Sequence, residues 1–249
     1  MSDVFLLLIS PFLGSFLGVL VVRLPRGEGF VGGRSRCPHC GATLGPAELV
    51  PLLSYLWQAG RCRHCAARLS PFYPAVELAA VGVAAWALWV LPGGWLAWAG
   101  AGLGWCLLAL AWIDARHFLL PDLLTLPLIP AGLLVAWLVD PGKLLPHGLG
   151  AAAGFLAFAG LAWAYRRLRG RDGLGLGDAK LLAAAGAWVS WQGLASVLLW
   201  AALPALAVTL VLGLRRGQLS ATTRLPFGSY LALGLWLTWL YGPLHLGAL

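Results

Sequence analysis

Two stretches of this chain, Leu78 to Ile113 and Leu181 to Leu214, run for 36 and 34 residues without a single charge. A helix needs about 20 apolar residues to cross a bilayer, with about 17 as the lower limit, so each stretch holds two crossings. Pro92-Gly93-Gly94 and Ser190-Trp191-Gln192-Gly193 supply the turns in their middles. Four shorter uncharged segments, Phe5 to Val22, Leu123 to Val139, Gly148 to Tyr165 and Leu225 to Leu249, bring the total to eight helices. Hydrophobic residues make up 60% of the 249 and charged residues 10%, against about a quarter charged in soluble domains. A water-soluble enzyme is thereby excluded, as are disordered and fibrous chains. The expected fold class is an all-α polytopic membrane protein of about eight transmembrane helices. Its expected organisation is a first helix over 1–22, a small polar insert over 23–71 and a seven-helix membrane core over 72–249.

The 17 Lys and Arg against 9 Asp and Glu give a net charge of +8. On a soluble protein that balance would suggest nucleic acid; in a membrane chain it reports orientation, and no nucleic-acid partner is expected. With the N-terminus outside, all the basic residues except Lys143 fall on the insert or on inner loops, as the positive-inside rule predicts. The first apolar segment is read as a retained helix and not a cleaved signal, because Asp3 precedes it and Arg23 and Arg26 follow. Within it Gly14 and Gly18, four apart, are read as a surface for close helix packing. Trp86, Trp89, Trp95, Trp98, Trp188 and Trp191 cluster toward the outer turns, where interfacial aromatics sit. No internal repeat or low-complexity tail stands out.

Four of five cysteines form two Cys-x-x-Cys pairs, Cys37-Pro38-His39-Cys40 and Cys62-Arg63-His64-Cys65, with 21 residues between them. Two tight turns of this kind present four thiolates to one tetrahedral zinc ion, and four sulfur ligands leave no open position, so the metal is expected to be structural. An insert of this size also lacks the core to fold alone, and a metal supplies the missing energy. The competing reading is a redox-active or empty thiol pair; His39 and His64 stand either as substitute ligands or as bystanders. Cys106, inside an apolar run, reads as a small core residue.

In so charge-poor a chain each acid near a helix end needs a reason. Asp114 ends the third membrane helix and Asp178 begins the sixth, both on the inner side of the expected topology. Two carboxylates converging in a partly dry site share a proton, because like charges disfavour double ionisation. Such a pair activates water against a peptide carbonyl. Other readings stand beside this one: a helix N-cap for Asp178, an interfacial partner of Arg116 for Asp114, the cap of the fourth helix for Asp122, and either a site or an interfacial role for Glu77. Gly173, Gly175 and Gly177 lack the strand that a nucleotide loop requires; they fit close backbone approach to a peptide or a tight turn into the membrane.

In order and spacing, these motifs resemble the type IV prepilin peptidases, membrane aspartyl proteases of the GxGD class. The resemblance begins with Gly14-Ser15-Phe16-Leu17 and Arg23-Leu24-Pro25. It runs through both cysteine knuckles, Pro51-Leu52-Leu53-Ser54 and Tyr73-Pro74 to Glu77. It closes with Asp114, Leu120-Pro121-Asp122, Gly175-Leu176-Gly177-Asp178-Ala179-Lys180 and Pro226-Phe227-Gly228. It implies a multi-pass enzyme of the bacterial inner membrane with the cysteine insert and active site in the cytoplasm. Asp114 and Asp178 would be the catalytic pair, with Glu77, Gly175, Gly177 and Lys180 as substrate- or cofactor-binding residues. The expected substrates are prepilins and pseudopilins of pilus or secretion systems. Their basic leader would be removed and the new N-terminus methylated with S-adenosylmethionine. Gly18, Arg116 and Ser229 depart from residues common in the family, an Asn, an acid and a Pro respectively. The rival reading is a transporter or assembly scaffold with a zinc knuckle, since intramembrane acids also mark ion paths. Acids placed at helix ends on one side favour hydrolysis. A zinc metalloprotease is disfavoured by the absence of His-Glu-x-x-His.

Overall fold

The computed structural model describes residues 2–29, 33–170, 175–216 and 225–244. Among them the secondary structure is helical, apart from two isolated antiparallel bridges. The chain divides into two compact units, residues 1–109 and 110–249.

The first unit holds α1 (Ser2–Arg23), the short α2 (Leu53–Trp57), α3 (Phe72–Val90) and the start of α4 (Trp95–His117). Helix α1 packs on α3 at Gly14, where an added Cβ would lie 2.6 Å from the Glu77 Cα and 2.9 Å from the Ala80 Cβ. Only a residue without a side chain admits that approach. Gly18 is different: a Cβ there would meet nothing nearer than the Tyr73 ring at 3.7 Å. Of the glycine pair, then, Gly14 serves packing and Gly18 borders open space. The turn expected at Pro92-Gly93-Gly94 falls between Val90 and Trp95, and Asp3 Oδ1 accepts the Gly94 N–H at 3.3 Å. Trp105 anchors α4 to α3 by donating to the Ala80 carbonyl at 2.9 Å.

Between α1 and α3 the insert forms two knuckles of the same design. Cys37 N–H bonds to Ala42 O and Gly41 N–H to Cys37 O; in parallel, Cys62 N–H bonds to Ala67 O and Ala66 N–H to Cys62 O. Bridges Arg36 to Thr43 and Arg61 to Arg68 close each loop. Arg36-Cys37-Pro38-His39-Cys40-Gly41-Ala42-Thr43 and Arg61-Cys62-Arg63-His64-Cys65-Ala66-Ala67-Arg68 are thus a local repeat, contrary to the expectation of none. It is short enough to hide among domain-scale periods.

The second unit holds the end of α4, then α5 (Asp122–Val139), α6 (Leu144–Arg169), α7 (Leu176–Arg216) and α8 (Phe227–Tyr241). Helix α7 lies at its centre, packed on α5, α6 and α8. Its first half is buried on all sides from Leu181 to Trp188, which Ala183, Ala184, Ala185 and Gly186 allow by being small. On α6, Gly150 and Gly154 bring backbone against backbone: a Cβ on Gly154 would stand 2.5 Å from the Leu182 carbonyl oxygen. Trp188 donates to Leu128 O at 2.8 Å and ties α7 to α5. Toward the outside, Leu145, Leu156 and Leu161 on α6 and Leu203, Leu206 and Leu210 on α7 are exposed, an apolar face of the kind that lipid covers.

Six of the described helices are long and apolar enough to cross a membrane. At 41 residues α7 would be about 60 Å long as one rod, twice the hydrocarbon thickness. It breaks at Ser190, whose backbone is non-helical (φ 59°, ψ 177°), where the sequence marks a turn. Counting α7 as two pieces and adding α8, of 15 residues, gives the eight membrane-scale helices expected. The first piece of α7 and α8 are shorter than a full crossing, which suits helices that start inside protein.

Candidate active site and metal centre

Asp114 sits in the last turns of α4 and is only 5% exposed despite its charge. Its Oδ2 accepts the backbone N–H of Ser229 at 2.8 Å and lies 3.1 Å from the Ser229 hydroxyl, which also reaches Ala111 O at 2.8 Å. Ser229 occupies the first turn of α8 just beyond Pro226-Phe227-Gly228. Pro226 starts the helix with its fixed φ, and Gly228 lets α8 close on the carboxylate: a Cβ there would be 3.0 Å from Asp114 Oδ2. Arg116 lies over the Trp112 ring at 6.0 Å.

Asp178 lies in the first turn of α7, where the helix dipole favours negative charge. Gly175 precedes the helix, and its carbonyl accepts the Asp178 N–H at 3.1 Å. Asp178 is therefore inside the helix and not its N-cap, and its Oδ1 is buried with no hydrogen-bond partner. The Asp114 and Asp178 carboxylates are close enough to interact electrostatically. Leu120, 8% exposed, stands against both flanking glycines: its Cβ is 3.0 Å from the place a Gly177 Cβ would take, and its Cδ1 is 2.8 Å from that of Gly228. Gly177 and Gly228 are thus the contact points through which the starts of α7 and α8 reach one side chain near Asp114. Gly173 lies outside the described residues.

Lys180, one turn from the start of α7, donates to both Asp122 oxygens, at 2.6 and 2.8 Å. Asp122 begins α5 but makes no capping bond, so its expected role as a cap gives way to an ion pair joining α5 to α7. Glu77 belongs to the first unit, where it is 7% exposed on α3 and its Oε2 accepts the Leu52 N–H at 2.7 Å. Sequence reasoning missed Leu120, Gly228 and Ser229 as site residues. The motifs Leu120-Pro121-Asp122 and Pro226-Phe227-Gly228 carried the signal for the first two; Ser229 had none, because its role depends on how α8 lies against α4.

The sulfurs of Cys37, Cys40, Cys62 and Cys65 all lie within 4.8 Å of one another. Cys37 to Cys65 is 3.9 Å and Cys40 to Cys62 is 4.0 Å, near the roughly 3.8 Å edge of a tetrahedron with zinc–sulfur bonds of about 2.3 Å. Backbone N–H groups of Cys40 and His39 hold the Cys37 thiol down at about 6. The Ala67 N–H pulls Cys65 the same way, but burial and the crowding of the other three sulfurs outweigh it and push Cys65 up to about 12. Four sulfurs this close need a cation before all can be thiolates. The cluster can hold a metal ion. His64 instead lies 3.7 Å from Glu48 Oε1.

Comparison with known proteins accounts for most of the chain. The bacterial peptidase A24 N-terminal domain matches residues 8–91 and the type IV leader peptidase family matches residues 101–210. A prepilin leader peptidase/N-methyltransferase of Aeromonas hydrophila is 40% identical, over 94% of this chain and 89% of its own length. Proteins of the same description from Dickeya chrysanthemi, 42% identical over 92% and 88%, and from Pseudomonas aeruginosa, 36% identical over 95% and 89%, are similar too. No solved structure matches. With both domains matched in order and relatives aligned almost end to end, the chain belongs to the type IV leader peptidase family.

Proposed function

We propose that this multi-pass inner-membrane enzyme removes the basic leader of prepilins and pseudopilins with Asp114 and Asp178 as its catalytic pair, and then methylates the new N-terminus. The observation that supports the proteolytic reading is that Asp114 and Asp178, 64 positions apart in sequence, lie within electrostatic reach of each other, Asp114 in the last turns of α4 bound to Ser229 of α8 and Asp178 in the first turn of α7. The pair shares one proton. The ionised carboxylate takes a proton from water as its oxygen adds to the scissile carbonyl carbon, while the protonated one donates to the carbonyl oxygen. Collapse of the tetrahedral adduct breaks the C–N bond, and the amine leaves with a proton returned by the pair. Ser229 keeps Asp114 Oδ2 in place through both steps, Gly177 lets the start of α7 close on Leu120, and Gly175 leaves backbone open to an extended substrate.

The N-terminus lies outside and the insert inside, where the leader remains while the prepilin's apolar segment occupies the bilayer. Zinc, held by Cys37, Cys40, Cys62 and Cys65, supplies folding energy to the insert and takes no part in hydrolysis. S-adenosylmethionine supplies an electrophilic methyl group for the freed amine. Purified protein in lipid vesicles, given a prepilin and labelled S-adenosylmethionine, should release the leader and label the mature N-terminus. Leader release without label would confine the enzyme to proteolysis, and an intact prepilin would reject the proposal.

A further inference from the structure

The insert carries an apolar face that the described residues leave open. From Leu49 to Gly60 the chain has no charged side chain. Leu49, Leu53, Leu56 and Trp57 are all exposed there, Leu56 at 73% and Trp57 at 90%. Leu53, Leu56 and Trp57 stand three and four apart on α2 and so share one side of it. The acid nearest in sequence is turned elsewhere: Glu48 Oε2 accepts the Gly45 N–H at 2.8 Å, and its Oε1 lies 3.7 Å from His64 Nε2. A tryptophan grouped with three leucines at a surface marks a place that something apolar covers.

One hydrogen bond sets the height of this face. Leu52, which immediately precedes α2, donates its N–H to Glu77 Oε2 at 2.7 Å. Glu77 is buried five residues after Phe72, the start of α3, and α3 is long and apolar enough to cross a membrane. At 1.5 Å per residue Glu77 stands about 7 Å along that helix. Helices that lie in a bilayer interface bury their apolar side by about 5–10 Å. The start of α2 is therefore tied beside the membrane-entering turns of α3.

Beyond α2 the surface becomes basic. Arg61, Arg63 and Arg68 are exposed, and no acid occurs between Glu48 and Glu77. A cavity of about 650 Å³ opens between the end of α2 and the start of α3; Tyr55, Ser70 and Tyr73 line it with His39, Arg61 and Arg68, and no acid does. Its volume suits a small polar group, and guanidinium and hydroxyl donors together suit a phosphate. An apolar protein surface would cover the leucines and leave the arginines unanswered. A bilayer supplies acyl chains and phosphates together, at the height that Glu77 sets.

We propose that the insert docks on the bilayer leaflet that borders it. Leu49, Leu53, Leu56 and Trp57 enter the boundary between headgroups and acyl chains, while Arg61 and Arg68, with Tyr55 and Tyr73, hold the phosphate of an anionic phospholipid. The contact anchors the two cysteine knuckles to the membrane and does not depend on which reaction the enzyme performs.

The unmodified full chain in nanodiscs of mixed phosphatidylcholine and phosphatidylglycerol, doped with a phospholipid carrying a diazirine on its acyl chain, tests the apolar half. Photolysis should label the peptide over 49–60 as well as α1 and α3, which serve as internal controls; that readout needs no variant to fold. Native mass spectrometry tests the basic half. Chain released from the same nanodiscs should retain phosphatidylglycerol in preference to phosphatidylcholine, and Arg61→Gln and Arg68→Gln should each lower the preference about fivefold, as loss of one cation beside an anionic surface does. Labelled α1 and α3 with an unlabelled 49–60 would overturn the proposal. So would equal retention of the two lipids, or a preference that both variants keep. Photocrosslinking of 49–60 to a second copy of the chain in place of lipid would make the face a protein contact and overturn it as well.

Discussion

Replacing Gly228 by Ala puts one methyl group against the carboxylate on which hydrolysis depends. The new Cβ would lie 2.8 Å from Leu120 Cδ1, 3.0 Å from Asp114 Oδ2 and 3.1 Å from Asp114 Cγ. Ordinary contact begins near 3.5 Å, so the carboxylate must retreat by about half an ångström or α8 must lift. Leu120 can turn aside only in part, because it is buried. Overpacking of this kind costs about 1–3 kcal/mol, and a misplacement of about 1 Å at a reacting group costs about a hundredfold in rate. Gly228→Ala should therefore slow leader cleavage by about ten- to a hundredfold and lower stability by about 1–3 kcal/mol. Gly160→Ala is the control: inside α6, its Cβ would meet nothing within 4 Å, and Gly160 is not among the residues with positive φ. It should keep its rate within about threefold. Single-turnover leader release in vesicles, followed by gel shift, measures the rate, and thermal unfolding measures the rest. A folded Gly228→Ala enzyme with full activity, or a Gly160→Ala enzyme that is the slower of the two, would refute the steric argument.

Removing one of the four proposed zinc ligands with Cys37→Ser should cut the metal content from an expected one ion per chain and unfold the insert before the membrane helices, whereas Cys106→Ser should leave the metal unchanged; elemental analysis with limited proteolysis reads both outcomes. Lys180→Met breaks an ion pair whose Asp122 partner is 55% exposed, so the stability change should stay below about 1 kcal/mol. Cleavage should fall by no more than about threefold, and a much larger loss with unchanged unfolding would mean that Lys180 touches substrate.

The helices were legible because lipid demands long uncharged runs, and their ends because Pro92-Gly93-Gly94 and Ser190 interrupt two of them. The central position of α7 was not. Its run of Ala and Gly is no more apolar than its neighbours, and only the approach of Gly150 and Gly154 reveals what small residues are for. Asp114 and Asp178 stand out wherever charge is rare, but Ser229 is an ordinary serine until α8 is laid on α4. Asp122 and Lys180 are separated by 58 positions, so the local pattern suggested a cap and missed the ion pair. At the knuckles, spacing alone marks four candidate ligands; the repeated hydrogen bonds that shape them appear only in three dimensions.

The pairing of Asp114 with Asp178 is the claim on which the proteolytic account turns. Single-turnover cleavage by Asp114→Asn, Asp178→Asn and the double variant, each verified as folded, tests it most directly. Two groups that work as one unit lose nearly everything when either is removed, so each single variant should be as inactive as the double. Appreciable cleavage by either single variant, or losses that multiply in the double, would contradict it.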